Sequence, residues 1–313
     1  MLFSVASCTI LSCLLASASA NRSNLTSTST SHTSTSSFSS LSSSSSSSST
    51  TQAPSSTQDA STSSFPTPSP APELKPGQKN PKRGIAFASN GNTDDILNAN
   101  QTKGLISWVY DWADLPPAYI AQSHLKYIPM QWGSGNIDKL ASAVSAQEAD
   151  TILGFNEPDF VNEANIGAKD AAALWMQFIQ PLKQQGIRIG GPAVTAAPTG
   201  KQWLSDFLSE CSQCSIDFLP LHWYGSGTEG FYSYIWDMHS SFPQLPIWVT
   251  EYADVSENST EVWDFMNQTT HYLDALDWIE RYAWFGFFRP EDNVHYNMLG
   301  EDGSLNDLGQ LYI

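Results

Sequence analysis

From residue 84 onward, eight short runs rich in apolar, aromatic and β-branched residues alternate with stretches of helical spacing. The runs are 84–88, 106–112, 127–132, 151–156, 187–194, 217–224, 246–252 and 281–288. Between them, apolar residues recur three or four positions apart. Examples are Ile137, Leu140 and Val144, then Leu174, Phe178 and Leu182, then Trp203, Phe207 and Leu208. The longest such stretch carries Val262, Phe265 and Met266, followed by Tyr272, Leu273, Leu276 and Ile279. Strict alternation of strand and helix implies parallel pairing, because parallel neighbours need a crossover of a dozen or more residues. The first run leads into Ser89-Asn90-Gly91-Asn92, which lacks the Gly-rich phosphate turn of an open doubly wound sheet. The class is therefore α/β, and eight units predict a closed (β/α)8 (TIM) barrel over residues 80–313.

The 79 residues before it have a different character. Residues 1–20 run Leu2, Phe3, Val5, Ile10, Leu11, Leu14 and Leu15 and close on Ala18-Ser19-Ala20. That is the pattern of a secretory signal peptide, and the run is too short and too Ser-interrupted for a membrane span. Residues 21–79 are mostly Ser and Thr, then Ser, Thr and Pro. Such a segment buries too little apolar surface to offset the entropy of ordering it, so a disordered stalk is expected. It either tethers the barrel or has no specific partner. The sequons at Asn100, Asn258 and Asn267, with Asn21 and Asn24 nearer the leader, agree with export. The expected location is secreted, extracellular or in a cell wall.

Charge and cysteines narrow the partners. The formal net charge is −17 with no basic cluster, which disfavours nucleic acid and anionic membrane surfaces. Cys8 and Cys13 leave with the leader. Cys211 and Cys214 remain as a single Cys-Ser-Gln-Cys, which cannot supply four zinc ligands and reads as a short-loop disulfide in an oxidising compartment. The chain is expected to be monomeric and to need no cofactor or metal.

Barrel chemistry sits where strands end at the C-terminal face. Two predicted strands end in glutamate: the fourth in Gly154-Phe155-Asn156-Glu157-Pro158-Asp159, the seventh in Trp248-Val249-Thr250-Glu251-Tyr252-Ala253. Fourth and seventh strands lie nearly across the barrel, so both carboxyl groups can converge on its mouth. Cleavage of a glycosidic bond needs such a pair, one protonating the leaving oxygen and one acting at the anomeric carbon. The plain alternative for Glu157 is a helix N-terminal carboxylate beside Pro158. The plain alternative for Glu251 is an ordinary loop acid, and Asp159 and Glu163 read as surface or capping acids.

Asn-Glu-Pro on the fourth strand with a glutamate ending the seventh resembles the clan of retaining glycosidases on (β/α)8 barrels. More narrowly, 153–159, Gly190-Gly191-Pro192-Ala193, Leu221-His222-Trp223-Tyr224 and 248–253 resemble glycoside hydrolase family 128, which acts on β-1,3-glucan. The resemblance extends from Arg83-Gly84-Ile85-Ala86 to Leu308-Gly309-Gln310. It implies that Glu157 is the general acid/base, that Glu251 is the nucleophile, and that Asn156 meets the sugar 2-hydroxyl. It also implies retention of configuration, with the carboxyl groups ~5–5.5 Å apart.

Aromatic rings stack on the apolar face of sugars while their polar edges meet hydroxyls. Period-two alternation puts Tyr110 and Trp112 on one face of the second strand near its site end, and the third strand ends at Gln131-Trp132. His222 and Tyr224 share a face of the sixth strand opposite Trp223, where they could orient the Glu251 carboxylate; the plain alternative for His222 is a satisfied core histidine. On the eighth strand the clan resemblance implies an aromatic platform beneath the cleaved sugar. Trp284 is the candidate, with Gly286 leaving room for substrate. Three readings follow: a secreted endo-β-1,3-glucanase, a hydrolase of another linkage (β-1,4-glucan, mannan or xylan), or a glucan-binding wall protein with little activity.

Overall fold

The computed structural model describes residues 65–66, 68–71, 73–75 and 78–313. The expected leader and most of the Ser/Thr/Pro segment lie outside these residues. Eight parallel strands follow in chain order: β1 (Arg83–Phe87), β2 (Trp108–Tyr110), β3 (Lys126–Tyr127), β4 (Thr151–Ile152), β5 (Arg188–Ile189), β6 (Leu219–Gly225), β7 (Ile247–Asp254) and β8 (Ile279–Phe287). Six of them form one sheet in the order β3-β2-β1-β8-β7-β6, and β4 pairs with β5. Single bridges join the two sheets. Met130 pairs with Leu153 between β3 and β4, and Gly190 with Phe218 and Val194 with Leu221 between β5 and β6. Every strand thus has both neighbours, and the ring of pairings closes as a barrel without edges.

The helices lie outside the ring: α1 (Leu140–Ala146), α2 (Ala168–Leu174), α3 (Pro198–Glu210), α4 (Thr228–Ser241), α5 (Ser259–Ala275) and α6 (Asp307–Tyr312). Their inner faces follow helical spacing. On α4, Phe231, Ile235 and Met238 are buried; on α5, Val262, Phe265, Met266 and Leu273. Beyond α2, the expected helix around Phe178 and Leu182 continues as a π-turn over Trp175–Ile179 and a 3-10 turn over Gln180–Gln185, which accommodates Pro181. No helix among the described residues is long and apolar enough to cross a membrane. Cys211 and Cys214 form a disulfide at the end of α3.

The barrel interior is stacked in layers. At the floor, the Arg281 guanidinium lies 4.5 Å from the Trp248 ring centroid and 5.6 Å from that of Trp108, while Phe218 stacks on Trp248. Trp108 lies across β1 at Gly84, where a Cβ would come within 2.1 Å of the indole. Tyr110 stacks above Trp108. Burying each side chain of this size contributes about 1.5–3 kcal/mol, so these layers fix strand positions firmly beneath the site.

Two features reach beyond the barrel itself. Arg83 of β1 donates to Tyr282, Asp274 and the Tyr312 carbonyl, fastening β8, α5 and α6 to the first strand. At the other flank, Phe65 packs edge-on against Tyr232 with centroids 5.9 Å apart, and the Tyr272 hydroxyl donates to the Pro66 carbonyl at 3.3 Å. The segment just before the barrel therefore touches α4 and α5.

Candidate active site

The site forms at the C-terminal ends of β2, β4, β6 and β7. Both glutamates are there, each 6 % exposed. They reach it through backbone irregularities. Along β7 the register slips by one residue: Leu221 pairs with Val249, but His222 pairs with Glu251. The partner β8 shows the same slip, Val249 facing Tyr282 and Tyr252 facing Trp284. This bulge at Thr250–Glu251 lets Trp248 and Glu251, three positions apart, both point inward; bulges re-aim side chains in this way. Glu157 instead adopts φ 41°, and Trp112 φ 61°, a region non-glycine residues enter only where surroundings over-determine it. The Glu157 N–H donates to the Ala193 carbonyl at 2.7 Å, and Asn156 N–H to the Trp132 carbonyl at 2.8 Å. Turns, not a helix, follow Pro158, so Glu157 is not a helix N-terminal carboxylate.

Between the carboxyl groups lies His222, 1 % exposed. Its Nδ1 is 2.8 Å from Glu157 Oε1, and its Nε2 is 3.4 Å from Glu251 Oε1. The second contact lacks hydrogen-bond alignment; it is an electrostatic approach, and the first is the bond that orients the ring. One donor atom from each of the three residues lies within 4.8 Å of the others. Glu251 receives further donors. Trp112 Nε1 donates to its Oε1 at 2.7 Å and the Tyr224 hydroxyl to its Oε2 at 2.6 Å. The Tyr110 hydroxyl lies 3.3 Å from Glu251 Oε1 and 3.0 Å from the Thr250 carbonyl, and can donate to one at a time.

The two environments differ in kind. Burial pushes the Glu157 carboxyl up to about 7, and the charges of Glu251 and Glu163 push the same way while His222 opposes. For His222, burial opposes the charged form, but Glu251 and the hydrogen bond to Glu157 win, and its proton is held more tightly than in water. Hydrogen-bond donors from Trp112, Tyr224 and Tyr110 converge on Glu251. A carboxyl group able to hold a proton, close to a second one ringed by donors, is an arrangement suited to glycosidic cleavage. Two carboxylates and a histidine are also a donor set that a divalent metal could use. Here His222 Nδ1 is engaged by Glu157, and indole and phenol donors fill the lone pairs of Glu251.

The expected site residues sort by position. Asn156, Tyr110, Trp112, His222 and Tyr224 all surround the pair. Tyr110 is fully buried, so it braces β7 and presents no face to a ligand. Trp132, five residues past β3, is 39 % exposed and does present one. Trp284 is a correction. It is fully buried against Tyr252 and Phe265 in the helix layer, and its Nε1 donates to the Tyr296 carbonyl. The inward residues of β8 are Arg281, Ala283 and Phe285. Phe285 holds the place expected of Trp284, its ring 5.9 Å from Trp112 and 5.6 Å from Tyr224. An arginine inside the barrel masks this face in the sequence, because an inward charge reads as an outward one. Gly286 likewise leaves no room for substrate; a Cβ there would come within 2.3 Å of the Phe288 ring.

Asp159 and Glu163 are not idle surface acids. Asp159 accepts from the Thr195 N–H and hydroxyl at 3.0 and 2.5 Å, tying the loop after β4 to the one after β5. Glu163 accepts from Asn156 Nδ2 at 3.1 Å. Neither contact has a signal in local spacing.

Similarity to known proteins agrees with this geometry. The family described as the glycosyl hydrolase catalytic core matches residues 84–312. Alkali-sensitive linkage protein 1 of Schizosaccharomyces pombe is 32 % identical over 250 residues, covering 74 % of this chain. The chain spans only 44 % of that relative's length. Among solved structures, an endo-β-1,3-glucanase of family 128 from Sorangium cellulosum is 33 % identical, with TM-score 0.62 over 74 % of this chain and 97 % of its own. A family 128 exo-β-1,3-glucanase from Aureobasidium namibiae is 26 % identical, with TM-score 0.68 over 74 % and 95 %. A closed barrel with two glutamates at its mouth and a match running nearly from β1 to the last helix make one assignment: the chain is a glycoside hydrolase, belonging to the glycosyl hydrolase catalytic core family and, within it, to glycoside hydrolase family 128.

Proposed function

We propose that this chain is a secreted β-1,3-glucanase that cuts internally and retains anomeric configuration. The observation that carries the mechanism is the short gap between two unlike carboxyl groups. An oxygen of Glu157 and one of Glu251 lie within 4.8 Å, near the ~5–5.5 Å of retaining enzymes and short of the ~6.5–9.5 Å that an inverting enzyme needs for its water. Glu157, its proton favoured by burial, protonates the glycosidic oxygen as the C–O bond breaks. The Glu251 carboxylate attacks the anomeric carbon and forms a glycosyl ester. Water then enters, Glu157 takes its proton, and attack at the same carbon releases the sugar and restores both groups.

The donors to Glu251 aim the attacking oxygen, and Asn156 meets the 2-hydroxyl. Trp112, Phe285 and Trp132 supply apolar surface for sugar rings. Support for the β-1,3 linkage comes from the Sorangium and Aureobasidium enzymes, both β-1,3-glucanases. Support for internal cutting comes from the endo-acting Sorangium enzyme at 33 % identity. The sequons and the disulfide support export.

The test is reducing-end release by the full chain on linear β-1,3-glucan, β-1,4-glucan, mannan and xylan, with product sizes and the anomer first released. Activity on β-1,3-glucan alone, giving mixed oligosaccharides of the β-anomer, is expected. Glu157→Gln should lose about 10²–10⁴-fold on natural glucan but far less on an aryl glycoside with a good leaving group. Glu251→Gln should lose turnover of both. Activity on another polymer would move the linkage, a first-formed α-anomer would overturn retention, and glucan binding without release would favour the wall-protein reading.

A further inference from the structure

Besides the pair itself, one acidic side chain reaches back into the site. Glu163 lies six residues past Glu157, on the loop between β4 and α2. That loop doubles back on itself. Phe160 N–H donates to the Glu157 carbonyl at 3.0 Å, Glu163 N–H to the Phe160 carbonyl at 3.1 Å, and Ala164 N–H to the Asn156 carbonyl at 3.2 Å. Ile166 N–H closes the return leg on the Pro158 carbonyl at 3.0 Å. Glu163 is thereby carried alongside Asn156, and its Oε2 accepts from Asn156 Nδ2 at 3.1 Å.

The chemistry of this contact is directional. An ionised carboxylate only accepts, whereas an amide has one accepting and one donating end. With Glu163 beside it, the Asn156 amide must turn its NH2 group that way, since the flipped amide would set oxygen against oxygen. Asn156 is 4 % exposed and, among the described residues, its Oδ1 has no hydrogen-bond partner, so the bond to Glu163 is what holds the amide in that sense. Glu163 also acts through charge, favouring a proton on both Glu157 and His222.

We propose that Glu163 is a positioning residue for the reaction: its carboxylate sets which way the Asn156 amide faces and stands as a third acidic group beside the pair. The proposal rests on the hydrolase reading above. The groups facing Glu157 are His222 from β6 and Glu251 from β7, with Glu163 on its own loop. The phenols of Tyr110 from β2, Tyr224 from β6 and Tyr234 from α4 also feel its charge. Of the three carboxyl groups, Glu163 is the one that the chemistry leaves free to be replaced.

Glu163→Gln keeps an oxygen acceptor but removes the charge; Glu163→Ala removes both. The full chain and both variants would be compared by kcat, KM and the pH dependence of kcat/KM on a β-1,3-gluco-oligosaccharide. An aryl β-glucoside with a good leaving group serves as the second substrate. In both variants the alkaline limb should move to lower pH by about half a unit, because an opposing negative charge has gone. The move should shrink on the aryl glycoside, where acid assistance matters less. Glu163→Ala should also lose about tenfold in kcat with KM nearly unchanged, as for a contact realised in the transition state. Limbs that stay at the wild-type pH in both variants would overturn the proposal, as would an equal loss on both substrates accompanied by a lowered Tm. A wild-type chain inactive on every glycan would refute the hydrolase reading, and this proposal with it, before any variant is compared.

Discussion

The Tyr224 hydroxyl donates to Glu251 Oε2 at 2.6 Å from the strand beside it. With Trp112 Nε1 on the other oxygen at 2.7 Å, it pins the carboxylate from both sides. A hydrogen bond to a charged group contributes about 1.5–3 kcal/mol. Tyr224→Phe is therefore expected to lose about tenfold to a hundredfold in kcat/KM, with little change in thermal stability. Steady-state kinetics beside a melting curve measures both; unchanged kinetics would show that Trp112 suffices.

Glu157 should make the enzyme less stable as the pH rises from acid to alkaline. Its carboxyl is raised from 4.5 to about 7, so between those values the folded chain binds protons that the unfolded chain has released. Stability from this group is complete below about 4.5 and declines as pH rises through about 7. Glu157→Gln carries no such charge. It should melt several degrees above wild type at pH 8, and the difference should close by pH 4. Melting curves across that range decide it, and an equal offset at every pH would argue against ionisation as the cause.

The segment before the barrel should contribute to stability and not to turnover. A chain starting at Lys79 loses the Phe65–Tyr232 ring contact and the Pro66 carbonyl bond to Tyr272. An aromatic pair contributes about 0.5–1.5 kcal/mol, so the Tm should fall by about 2–4 °C. Hydrolysis of a soluble oligosaccharide should be unchanged. Phe65→Ala in the full chain should reproduce the loss, and a large drop in kcat in either would give the segment a part in catalysis.

The alternation of strand and helix, two strand-end glutamates and the inward set Trp108, Tyr110 and Trp112 were legible in the linear sequence. So was the shared face of His222 and Tyr224. All depend on spacing within one element, which residue order states directly. The observed β4 and β5 are two residues each, shorter than their apolar runs, because the chain beyond them joins its neighbours by single bridges.

What residue order determined was therefore the class of fold and the pair of acids. Tertiary structure decided the rest, because it depends on what lies next door. The bulge in β7 turns Glu251 inward three positions after Trp248, and only the register against β6 and β8 reveals it. Arg281 is stable inside the barrel because two indoles lie against it, and that reverses the apparent faces of β8, putting Phe285 where Trp284 was expected. Glu163 matters because its loop folds back onto Asn156. Each is a relation between distant backbone segments, and hydrophobic periodicity within a segment carries no record of it.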